Sequence, residues 1–255
     1  MNGSIQVLAL HGFLGHPADW DVLRPVLPGM QVEALNLWTW LEESGADSWQ
    51  AAGEALDALL IRVTGEGGGR KAFVLAYSFG GRLALASRAL AEGRAGIGGA
   101  CLVSCNPGLA EADAAGRTAR RDADEKWARL LLDAQEDDIL RAWEAQPVLA
   151  SRSSVRAGGP ASLRRILPAA RGTLARAMRD FSLAGQPDFR QRLHGWATPL
   201  LWVTGENDAK FAGLADGLQR DGVPATFIRC PGAGHRVPWD NPEGFARIFN
   251  SWINK

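Results

Sequence analysis

The sequence holds no apolar run approaching the roughly 20 residues that span a bilayer, so no membrane-crossing helix is expected. Cysteine is scarce: Cys101, Cys105 and Cys230 are odd in number and sit in apolar segments. They read as buried free thiols of a cytoplasmic protein, not as a disulfide framework. No Cys or His spacing suggests a structural zinc site. Net charge is missing too, since 28 basic residues balance 28 acidic ones. Nothing global therefore points to nucleic acid or another polyanion as partner. Lysine is confined to Lys71, Lys126, Lys210 and Lys255, which leaves 24 arginines. The amino terminus, Met1-Asn2-Gly3-Ser4, has no basic n-region, and the apolar run from Ile5 to Leu10 is short. It reads as a first strand rather than a signal peptide. Internal repeats and low-complexity stretches are absent.

What is present is ordinary globular composition. With 46% hydrophobic and 22% charged residues over 255 positions, the chain can build a real core. The stretch that organises it is Ala72-Phe-Val-Leu-Ala-Tyr-Ser78-Phe79-Gly80-Gly81-Arg82. A strand-forming run stops at Ser78, two glycines follow, and a helical pattern begins. A serine on so tight a strand-to-helix turn is a nucleophile elbow, usually spelled Gly-x-Ser-x-Gly; here Ala76 takes the first glycine's place. The alternative is a plain strand-turn-helix whose serine caps the helix.

Further strands are expected at Ile5–Leu10, Val32–Leu37, Ile97–Ser104, Leu200–Val203 and Ala225–Cys230. Helices are expected at Pro17–Leu27, Ser48–Val63, from Arg82 to Leu90 and from Phe245 to Ile253. Gly65-Glu-Gly-Gly-Gly69 ends the second of these. Alternating strands and helices predict an α/β fold, with a mostly parallel sheet, helices on both faces and the site at the strands' carboxyl ends. His11, Ser78 and Asn106 all fall at such ends. The loop His11-Gly12-Phe13 would offer a backbone N–H to a developing oxyanion, Phe13 and Phe79 being the two candidate donors, or it is a simple turn. Between Leu109 and about Gly195 strand signals vanish and charged helical segments take over. The organisation expected is a core of residues 1–108 and 196–255 with a helical cap, 109–195, inserted. From Arg141 to Arg192 ten arginines face Glu144, Asp180 and Asp188 only. That surplus either draws an anion into the cleft beneath, or reflects a biased genome and a solvated surface.

Ser78, Asp208 and His235 each follow a strand, in the chain order that α/β-hydrolase folds use. A serine hydroxyl is inert near neutral pH until an imidazole takes its proton, and a carboxylate on the other ring nitrogen fixes the tautomer. These three are the candidate catalytic residues. They allow either acyl transfer through Ser78 or proton abstraction by the Ser78–His235 pair. Serine at the elbow disfavours a dehalogenase reaction, which needs an acid there.

Several segments together resemble one family. They are Tyr77-Ser78-Phe79-Gly80-Gly81-Arg82, Asn106-Pro107-Gly108-Leu109, Trp143 to Ser151 with its Gln146-Pro147, Ser182 to Phe189 with its Gln186-Pro187, and Gly205 to Phe211. The chain is similar to the 2-succinyl-6-hydroxy-2,4-cyclohexadiene-1-carboxylate synthases of menaquinone biosynthesis, from His11 to the closing helix. The resemblance implies a cofactor-independent lyase, without metal, that eliminates pyruvate from a small polycarboxylate, 2-succinyl-5-enolpyruvyl-6-hydroxy-3-cyclohexene-1-carboxylate. It implies substrate contacts at Arg82, at Arg120 (or its neighbour Arg121), at Arg171 (or Arg165), and at Tyr77 and Trp143. On this reading loss of Arg82 lowers turnover far more than stability. A carboxylesterase or thioesterase on the same scaffold is the alternative, and a monomer or weak homo-oligomer is expected.

Overall fold

In the computed structural model residues 5–65, 71–149 and 159–255 are described, with the backbone alone at 159–164. The expected segment Glu66–Gly69, and Ala150 and Ser151, lie outside the described residues. Short apolar runs become the strands β1 (Ile5–Leu10), β2 (Met30–Leu35), β3 (Ala72–Tyr77), β4 (Ile97–Val103), β5 (Leu200–Gly205) and β6 (Thr226–Cys230). They form one sheet, ordered β2-β1-β3-β4-β5-β6, in which every pairing is parallel. β3 and β5 are buried at every residue, as strands covered on both faces must be.

The period-two alternation of a strand divides the core. Leu8, Leu10, Val74, Ala76, Leu102 and Trp202 point to one layer. Val7, Ala9, Leu75, Val103, Leu201 and Val203 point to the other, where they meet Trp20, Phe245, Phe249 and Trp252. Burying a side chain such as Phe249 contributes roughly 2–3 kcal/mol before entropy is counted.

The helices are α1 (Leu37–Ser44), α2 (Trp49–Thr64), α3 (Phe79–Ala86), α4 (Arg88–Ala91), α5 (Ala114–Asp133), α6 (Glu136–Glu144), α7 (Gly159–Asp180), α8 (Arg190–His194), α9 (Ala209–Arg220), α10 (Val237–Asp240) and α11 (Pro242–Ile253). Three local expectations need correction. The short helix from Pro17 is of the 3-10 type and stops at Leu23 rather than reaching Leu27. The second strand stops at Leu35 because Asn36 caps α1, its side chain accepting from the Trp38 and Thr39 N–H groups. The elbow helix is broken at Ser87, which ends α3 and caps α4. At the start of α2 the Ser48 hydroxyl accepts from Ala51 N–H.

Between β4 and β5 every element among the described residues is helical, from α5 to α8, with α5 and α7 packed on each other. The strand order sets where the site can lie. The chain runs from β1 out to the edge strand β2, then crosses back to β3 and proceeds the other way. The loops after β1 and β3 therefore diverge, and a crevice opens between them at their carboxyl ends.

Candidate active site

Ser78 follows β3 with φ 49° and ψ −104°, a positive-φ conformation that a residue with a side chain adopts only under strain, at a cost of about 1–3 kcal/mol. Two backbone bonds hold it there: Ser78 N–H donates to the Val103 carbonyl at 2.9 Å, and Gly80 N–H to the His11 carbonyl at 3.1 Å. Gly80 cannot carry a side chain, since a Cβ would stand 2.5 Å from the Leu10 carbonyl oxygen. Ala76, where the usual elbow has glycine, is fully buried with its methyl in the core, so the turn tolerates it.

His235 lies on the loop after β6 and Asp208 on the loop after β5. The His235 Nδ1–H donates to Asp208 Oδ2 at 2.8 Å, which leaves Nε2 facing the Ser78 hydroxyl at 3.3 Å. The other Asp208 oxygen accepts from Phe211 N–H and caps α9. The imidazole is buried between the Tyr77 and Phe211 rings. The three residues singled out from distant parts of the sequence thus meet within hydrogen-bond reach.

The residues of the candidate oxyanion donors, Phe13 and Phe79, line the same cavity as Ser78 and His235. Phe79 is the first residue of α3, where a backbone N–H has no intrahelical partner. Neither its amide nor that of Phe13 meets a backbone acceptor among the described residues. The Phe13 loop is braced by α1, which the sequence did not announce. Leu37 N–H donates to His11 Nε2, and the Trp38 indole N–H to the Gly15 carbonyl. Trp38 also stacks on Phe79.

His11 is thereby structural rather than reactive. Complete burial, the main cause, pulls its pKa down to about 4 from 6.5. The unfolded chain takes up a proton below pH 6.5 that the folded chain refuses until about pH 4. Stability is therefore full above 6.5 and declines as pH falls toward 4, by up to about 3 kcal/mol from this one residue. Urea titrations at about pH 7 and about pH 5 should show the decline, and His11→Gln should flatten it.

The crevice continues into a cavity of about 290 Å³ walled by strand-end loops and by the helices between β4 and β5. Arg82, Arg120, Tyr77 and Trp143 line it. Arg82 Nε donates to the Gln186 side-chain oxygen at 2.6 Å and Nη2 to the Phe181 carbonyl at 2.8 Å, while the guanidinium rests over Trp49. Gln186, itself wholly buried, donates to the Asn106 carbonyl at the end of β4. Arg120 Nε donates to Asp124 Oδ2, a buried carboxylate that also accepts from the Ser182 hydroxyl. Burial first, and the neighbouring Arg120 charge second, pull the Arg82 guanidinium below its ordinary range, and Asp124 offsets part of this. Two cations held that close by fixed struts favour an anion between them.

Other expectations about the arginines need revision. Arg171 is not brought to the cavity: its Nη1 donates to the Leu131 and Ala134 carbonyls, capping the end of α5. Its alternative Arg165 is exposed, as is Arg121. Part of the positive charge is also answered locally, because Arg141, Arg179 and Arg190 pair with Asp138, Glu125 and Asp188. Residues missed in the sequence are Asp124, Gln186, Lys210 and Arg236. Lys210 and Gln186 stand inside the segments that carry the resemblance, but spacing alone assigned them no role.

The alpha/beta hydrolase family matches residues 7–248. The 2-succinyl-6-hydroxy-2,4-cyclohexadiene-1-carboxylate synthase of Salmonella paratyphi C (strain RKS4594) is 31% identical over 249 residues, 95% of this chain and 91% of that protein. Its counterpart in Salmonella choleraesuis (strain SC-B67) matches to the same extent. Among solved structures, MenH from S. aureus superposes with a TM-score of 0.84 at 21% identity, covering 100% of this chain and 95% of that one. A thermophilic esterase from Thermogutta terrifontis follows the same fold with a TM-score of 0.68 at 19% identity, over 98% and 89% of the two chains. The chain thus belongs to the alpha/beta hydrolase family and, within it, to the group of the 2-succinyl-6-hydroxy-2,4-cyclohexadiene-1-carboxylate synthases.

Proposed function

We propose that this protein eliminates pyruvate from 2-succinyl-5-enolpyruvyl-6-hydroxy-3-cyclohexene-1-carboxylate, with Ser78, His235 and Asp208 acting together as a base. The observation that carries the reading is the Ser78–His235–Asp208 chain of contacts lying in one cavity with the Arg82–Arg120 pair. The 31% identity to proteins named for the product supports the same choice.

In the proposed step the Ser78 oxygen takes the ring proton beside the succinyl ketone while its own proton passes to His235 Nε2. The C–H electron pair moves toward the ketone, whose oxygen gains negative charge opposite the Phe13 and Phe79 amides. That charge returns as a ring double bond next to the deprotonated carbon, the existing ring double bond shifts one position along, and the C–O bond to the enolpyruvyl group breaks. The departing enolate takes up a proton and becomes pyruvate. Arg82 and Arg120 hold substrate carboxylates throughout, so the ring proton is presented to one oxygen.

Pyruvate release from the purified protein, followed with lactate dehydrogenase, tests the reading. Release no faster than with a His235→Ala variant overturns it. Ester hydrolysis is the second reading, because a serine within reach of an imidazole serves acyl transfer equally and the Thermogutta esterase has the same fold. It requires a burst of acyl-enzyme with p-nitrophenyl esters, which the lyase reading does not.

A further inference from the structure

We infer that Arg236 is a positioning residue for the reaction: it ties the loop carrying His235 to the helical segment above the cavity, through a two-point ion pair with Glu144. Arg236 Nη1 and Nη2 donate to the two Glu144 oxygens at 2.9 and 2.5 Å. Its side chain is only 8% exposed although it lines the cavity. A buried, two-point guanidinium–carboxylate contact fixes orientation as well as distance.

The position of the pair gives it its role. Arg236 is bonded to His235 through the backbone, and its carbonyl opens α10 by accepting from the Trp239 and Asp240 N–H groups. On the core side the loop is held by the Ser104 hydroxyl on the His235 carbonyl and by Gly234 N–H on Asp240. The Glu144 contact secures the same loop from the other side of the cavity. Glu144 is the last residue of α6, next to Trp143, whose ring lies against Phe13 on the oxyanion loop. One ion pair therefore registers the imidazole against Ser78 and Trp143 against Phe13 together. Other polar ties between the helical segment and the core among the described residues run elsewhere: Arg82 to Gln186 and Phe181, Gln186 to Asn106, Phe189 to Pro107, Arg192 to the end of α3, and Thr173 to Glu42 on α1. With both Nη groups engaged by Glu144, Arg236 is balanced and leaves carboxylate binding to Arg82 and Arg120.

The inference needs Ser78 and His235 to act as a pair, and does not depend on which substrate they act upon. Its test compares Glu144→Ala, Arg236→Ala and the exchanged pair Glu144→Arg/Arg236→Glu with the parent protein. Three quantities are read: kcat and KM for pyruvate release, the rate at which a fluorophosphonate labels Ser78 with loss of fluoride, and the thermal midpoint. Each single variant should lose about tenfold or more in kcat and in labelling rate, with KM changing less, and the exchanged pair should recover most of the loss. Rates within about twofold of the parent in both single variants overturn the inference, as do equal losses that the exchange fails to restore. Should a single variant not fold, Glu144→Gln, which keeps an acceptor oxygen, is held to the same criteria. Labelling that follows the ion pair while even the parent releases no pyruvate would sink the proposed reaction and uphold the positioning role.

Discussion

Ser78→Ala is expected to lower pyruvate release by about a thousandfold or more while leaving the thermal midpoint where it was. The activity loss follows from the proposed step, in which the Ser78 oxygen takes the ring proton and hands its own to His235 Nε2, 3.3 Å away. The unchanged midpoint follows because alanine keeps the Cβ and therefore the same strain at φ 49°. Ser78→Gly separates the two effects. It should be as inactive as alanine yet more stable by about 1 kcal/mol, since glycine accepts a positive φ freely. Steady-state assays and urea denaturation read both. Residual turnover above about a tenth of the parent would mean that the imidazole takes the ring proton without the hydroxyl.

The second large effect is expected at Arg82, where Arg82→Met should cut kcat/KM for the polycarboxylate about a hundredfold and also cost about 2–4 kcal/mol of stability. The sequence alone pointed to lost turnover with little lost stability. The structure changes that, because the guanidinium is a strut as well as a proposed substrate contact. Without it the buried Gln186 oxygen and the Phe181 carbonyl lose their donors, and Trp49 and Phe79 lose the cation lying over them. Arg82→Lys keeps the charge but not the two-direction fork, so most of both losses should remain. A loss in kcat/KM with urea midpoints matching the parent would show that Gln186 and Phe181 find other partners.

How far the sequence could be read depended on whether the signal was local. β1, β3, β4 and β5 are apolar runs ending in turn residues, and Ser48 announces α2, so these were legible from neighbours alone. The same holds for Ser78, Asp208 and His235, each of which sits just past a strand. α1 was not legible because Leu35-Asn36-Leu37 continues an apolar strand pattern, and only the capping bonds of Asn36 end it. Arg171 illustrates the opposite error. An arginine in a basic helix carries no mark saying whether it meets a ligand or, as here, the carbonyls that close α5. Asp124 and Arg236 were invisible for a further reason. Their significance is a partner 58 residues away for Asp124 and 92 for Arg236, and no periodicity encodes such pairings.

The bond from Gln186 to Arg82 has an evolutionary corollary. One arm of the proposed carboxylate clamp, Arg120, travels with the helical segment, whereas the other, Arg82, belongs to the elbow helix and is aimed by a glutamine from that segment. Transplanting residues 109–195 into a sister hydrolase would carry over the aiming glutamine without its target. New substrate preferences in this lineage should therefore arise by paired change on both sides of the seam, not by swapping the insertion whole.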